Sequence, residues 1–130
     1  MNQPTGVHHV ALTVTDLEAS AGWYRRVLGL EEAFTEQSER RGAIVLSFAG
    51  GPPIVGLVQH GDGAGSRFDP AVVGLDHVAL SVGSRADLDA WTARLDDENV
   101  PHSGVIDVPP GAILNFKDPD GIALAFFWDR

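Results

Sequence analysis

His9 and His77 are the residues best placed by type and spacing to do chemistry. Each opens a near-identical hexad, His9-Val10-Ala11-Leu12-Thr13-Val14 and His77-Val78-Ala79-Leu80-Ser81-Val82, in a chain of 130 residues. An imidazole can ligate a divalent ion, move a proton or hydrogen-bond a ligand. Two on equivalent segments can converge on one site. The repetition itself implies two similar halves, each begun by a strand with a histidine at its head.

The elements that must carry these histidines follow from pattern. From Val7 to Val14, Val10, Leu12 and Val14 share one face, and His9, Ala11 and Thr13 the other, as in a half-buried strand. Thr15-Asp16-Leu17-Glu18 has capping-box spacing. Leu17, Ala21, Tyr24 and Leu28 continue at helical spacing to a left-handed stop at Gly29. Strands are expected over 30–36, 42–48 and 54–60. In the second half, the strand over 74–82 leads to a helix beginning at Ser84. Its stripe is Leu88, Trp91 and Leu95, and Asn99 is its stop. Strands at 105–108, 111–116 and 122–128 complete it, with Asp118-Pro119-Asp120-Gly121 as a tight turn. The expected fold class is α+β: two βαβββ modules with curved mixed sheets forming a cupped pocket. The modules span 1–60 and 74–130 of one compact domain. Residues 61–73 link them: Gly61 to Ser66 as a flexible connector, Phe68, Val72 and Val73 as anchors.

Composition excludes several function classes. There are no cysteines, hence no disulfide, thiolate metal site or thiol nucleophile. No apolar run is long enough for a membrane span or a signal core, so a cytoplasmic protein is expected. The net charge is −9 and Lys117 is the sole lysine, a poor field for nucleic acid or an anionic membrane. Gly61-Asp62-Gly63-Ala64-Gly65 lacks the Lys-Ser or Lys-Thr of a phosphate loop. The Asp118–Gly121 stretch lacks the remaining ligands of a calcium loop. Small-molecule or protein partners remain.

The halves resemble the paired βαβββ modules of the vicinal oxygen chelate superfamily, which includes glyoxalase I, fosfomycin and bleomycin resistance proteins and extradiol dioxygenases. The matching text is the two hexads, Trp23-Tyr24 through Val27-Leu28-Gly29-Leu30, Gly74-Leu75-Asp76-His77, and Phe116-Lys117-Asp118-Pro119-Asp120-Gly121. The resemblance implies a homodimer, with the pocket formed within one chain or across two. It also implies that in metal-using members the head histidines ligate a divalent ion beside a glutamate in the last strand of each half. His9 and His77 fill the histidine positions; Gly56 and Ala125 stand where the carboxylates would be.

Two imidazoles without either acid fall short of the usual three protein ligands. His60 lies four residues beyond Gly56, roughly 13 Å along a strand. Asp76 is expected to face away from His77. Glu98 is expected on a helix and Asp107 on an outer strand; His102 is unplaced.

Gly and Ala at 56 and 125 enlarge the concavity and remove charge from it. The expected lining is Ala11, Gly56, Val58, Ala125 and Phe127, with His9, Ser47, His77 and Asn115 as its polar groups, the composition of a small-molecule pocket. The leading reading is a protein that binds a small organic molecule without the family's full metal site. No catalytic residue is assigned, and the only cofactor the sequence leaves open is a divalent metal of unknown identity. The alternative is a divalent-metal-dependent lyase, isomerase or dioxygenase using His9 and His77.

Overall fold

The computed structural model describes residues 1–63 and 65–130. The chain divides into two units, Met1–Ser66 and Arg67–Arg130, so the segment expected as a linker is shared between them. Position 64 of the expected connector lies outside the described residues.

The first unit runs β1 (Val10–Thr13), α1 (Leu17–Leu28), β2 (Glu31–Gln37), β3 (Arg41–Ser47) and β4 (Pro53–His60). Its sheet has the order β1-β4-β3-β2, with β1 parallel to β4 and the other pairs antiparallel. Leu12 pairs with Leu57, which pairs with Ile44. These buried residues form one face, on which α1 packs through Ala21, Tyr24, Val27 and Leu28. The helix starts one residue later than the capping-box spacing suggested. Asp16 is the N-cap, its Oδ1 accepting the Ala19 N–H at 3.1 Å, and Gln59 Oε1 accepts the Leu17 N–H at 2.8 Å. Two orphan donors are thereby satisfied. Gly29 ends the helix at φ +70°.

The second unit repeats this plan as β5 (Val78–Ser81), α2 (Arg85–Asp97), β6 (His102–Val108), β7 (Gly111–Lys117) and β8 (Ala123–Asp129), in the sheet order β5-β8-β7-β6. Ser84 caps α2, accepting the Asp87 N–H at 3.1 Å. Trp91 of the helix stacks on Phe126 at 4.2 Å, and Phe126 on Phe116 at 4.9 Å. Leu80, Leu114, Leu124 and the helix residues Leu88 and Leu95 are buried on the same side. β6 begins three residues earlier than its apolar pattern indicated. A register shift between His102 and Val105 hides the alternation on which that pattern depends.

In each unit one helix covers one sheet face. β1 and β5 are four residues each, shorter than the hexads suggested, and leave His9 and His77 just ahead of their strands.

Candidate functional site

The faces not covered by helices carry the small residues expected there. In the first unit Ala11 pairs with Gly56, and Gly56 with Val45; Thr13 pairs with Val58, and Val58 with Ala43. Ala11 and Thr13 are exposed, whereas Gly56 and Val58 are buried among their neighbours. A Cβ at Gly56 would meet the Ala11 Cβ at 3.5 Å, an ordinary contact. Ser47 is buried beside the register shift that separates it from Leu46. In the second unit Ala79 pairs with Ala125 and Ala125 with Asn115, while Ser81 pairs with Phe127 and Phe127 with Ile113. Gly56 and Ala125 therefore occupy corresponding places beside Ala11 and Ala79.

The two head histidines differ in their partners. His9 is exposed, its Nδ1 2.8 Å from Nδ1 of His8, so one ring donates and the other accepts. His77 has its Nδ1 2.7 Å from Oδ1 of Asp76. A carboxylate accepts, so Nδ1–H donates and the tautomer is fixed. Nε2 is left without a hydrogen-bond partner among the described residues. Asp76 was expected to face away. It lies before β5 rather than within it, so strand alternation does not govern its direction.

His77 lines a cavity of about 710 Å³ within the second unit, a size that suits a small organic molecule. Its wall includes Asn115 and Lys117 of β7, Ala123 of β8, and His102 and Ser103 of β6. Arg67, Pro70 and the β7–β8 turn complete it. Ala125 and Phe127, expected in a pocket lining, lie outside this wall. The turn is held by Asp118, 6 % exposed, whose Oδ1 accepts the N–H of Asp120 and of Ile122, each at 2.9 Å. Gly121 takes φ +79° there.

His102 has both ring nitrogens occupied. Nδ1 accepts the Gly104 N–H at 3.0 Å, so Nε2 carries the proton and donates to Asp96 Oδ1 at 2.7 Å. This imidazole fastens α2 to β6. Arg67 and Lys117 were not singled out as site residues in the sequence. The signals that point to them are the turn motif directly after Lys117 and the anchoring Phe68 directly after Arg67.

The model of the glyoxalase/bleomycin resistance protein/dioxygenase superfamily matches residues 6–126. The chain belongs to that superfamily. Within the superfamily, it is similar to a glyoxalase/bleomycin resistance protein/dioxygenase domain from Frankia sp. EAN1pec. The two are 34 % identical with a TM-score of 0.90, over 98 % of this chain and 100 % of that one. It is also 33 % identical over 128 residues to the uncharacterized protein YaeR of Escherichia coli, covering 93 % of this chain and 94 % of the relative. A fosfomycin resistance protein mutant from Listeria monocytogenes, complexed with manganese(II), shares the fold at 17 % identity and TM-score 0.70. That match covers 95 % of this chain and 92 % of the other.

That structure bears a metal ion, and the donor set of this chain can be compared with such a centre. Among the described residues no group of three or more His, Cys, Asp or Glu side chains is placed to hold a metal ion. Gly56 and Ala125, where the resemblance leads one to expect carboxylates, are set against Ala11 and Ala79. The residues present do not fit the full centre. No helix among the described residues is long and apolar enough to cross a membrane.

Proposed function

We propose that this superfamily member binds a small organic molecule in a pocket that lacks the family's full metal site. The replacement of both strand carboxylates, by Gly56 and Ala125, carries this reading. Each backs onto an alanine in the register, so each sheet offers small apolar surface where charge would otherwise sit. The cavity beside His77 supports it, combining apolar wall residues with a few placed polar groups.

The test is metal analysis of protein purified without chelator, combined with a small-molecule binding screen. We expect no stoichiometric divalent ion and saturable binding of organic compounds. One tightly held ion per chain would overturn the reading.

The Asp76–His77 contact favours a second reading. A carboxylate that fixes one ring nitrogen and presents the other is the support a ligating histidine has. The protein would then be a divalent-metal-dependent lyase, isomerase or dioxygenase using His9 and His77. It requires that His9→Ala and His77→Ala each abolish metal uptake, and full metal content in either variant eliminates it.

The family resemblance also points to a homodimer. Phe34 of β2 and Ile106 of β6, 48 % and 44 % exposed, lie in the cross-strand rows of Gly56 and Phe127 respectively. They are apolar surface a second copy can cover.

A further inference from the structure

The polar groups of the cavity in the second unit can be taken one by one. Two carboxylates line it, and both accept hydrogen bonds from their own chain. Asp118 takes the amides of Asp120 and Ile122, and Asp76 takes the His77 Nδ1–H. Both nitrogens of His102 are used. Ser103 Oγ donates to the Gly104 carbonyl at 2.7 Å and accepts the Asn115 N–H at 3.0 Å. What remains is the open Nε2 of His77, the side-chain amide of Asn115, and Arg67 and Lys117, the two full cations lining the same cavity. Neither cationic side chain forms a hydrogen bond or ion pair among the described residues. By contrast Arg25, Arg41 and Arg85 are paired with Glu32, Glu36 and Asp107. Asp76 and Asp118 line the same cavity, but neither is in an ion pair with Arg67 or Lys117.

The guanidinium of Arg67 lies against Gly121 of the turn. A Cβ at Gly121 would lie 2.7 Å from Arg67 Nη2. Glycine at that turn position suits the φ of +79° and leaves room for the guanidinium. Lys117 ends β7 immediately before the same turn. The other walls, Pro70, Pro101, Phe116 and Leu124, are apolar.

We propose that this cavity takes a small organic acid. Arg67 and Lys117 hold its carboxylate or phosphate head, and its apolar body lies against Pro70, Pro101 and Leu124. Arg suits such a head by its planar fork of donors and Lys by its compact charge. The proposal rests on the small-molecule reading above and adds the charge of the ligand.

Benzoate, phenyl phosphate and benzyl alcohol, matched in ring and differing in head group, are titrated into the 15N-labelled full chain. The amides of Arg67, Lys117 and Gly121 are followed. Benzoate or phenyl phosphate is expected to shift them at lower concentration than benzyl alcohol. The tighter of the two anions assigns the head. Arg67→Met and Lys117→Met are expected to weaken that anion by roughly fivefold each, the size of one exposed charge contact, with spectra elsewhere unchanged. If benzyl alcohol binds as tightly as the anions, or either variant binds the anion unchanged, the anionic assignment fails while small-molecule binding stands. If none of the three shifts the cavity amides, both fail.

Discussion

Hydrogen-bond partners give the two imidazoles that line the cavity different parts. His102 is 14 % exposed at its side chain and has no open nitrogen, whereas His77 keeps Nε2 open. The same accounting makes Asp118 a structural carboxylate: it is buried, and its Oδ1 takes two amides of one turn. Asp118→Ala leaves those N–H groups without their acceptor. It is expected to lower the unfolding free energy by about 1–3 kcal/mol, read from urea denaturation with the midpoint displaced and the slope unchanged. The motif was legible as a turn because Pro and Gly restrict its backbone. The use of its carboxylate was not, since either Asp could have served.

At the scale of elements, β7 and β8 approach closely enough to require glycine. A Cβ at Gly111 would overlap the Trp128 carbonyl oxygen. Gly111→Ala must therefore push the two strands apart, and is expected to cost about 1–3 kcal/mol, the range for overpacking a core. Thermal unfolding measures it, with Gly6→Ala, open on all sides, as the control expected to differ little from wild type. The elements themselves were readable wherever periodicity was unbroken, as in α1, β3 and β7. They were misjudged where a bulge interrupts alternation, at the start of β6, and where two adjacent residues could cap one helix. Thr15 and Asp16 both have capping side chains; the position of Gln59 in β4, supplying the Leu17 acceptor, goes with the later start.

For the whole molecule, the expected dimer supplies the third test. A dimer that covers Phe34 and Ile106 is weakened by burying a charge at either residue. Phe34→Asp and Ile106→Asp are expected to shift sedimentation velocity from dimer toward monomer while far-ultraviolet dichroism is unchanged. A wild-type chain that sediments as a monomer at all concentrations removes the dimer from the proposal. Both positions sit on the outer strand of their sheet, so each variant tests one unit's edge.

The sequence by itself determined that there are two βαβββ modules, which face of each strand packs under a helix, and that the expected carboxylates are absent. Those properties are periodic or compositional, and a residue's neighbours along the chain carry them. Tertiary structure alone decided which polar groups meet. Arg67 comes to the β7–β8 turn, Asp76 turns to His77, and His102 joins Asp96 to the Gly104 amide. These contacts depend on segment ends, a register shift and a left-handed glycine. There the backbone leaves regular repeat, and sequence spacing no longer fixes direction.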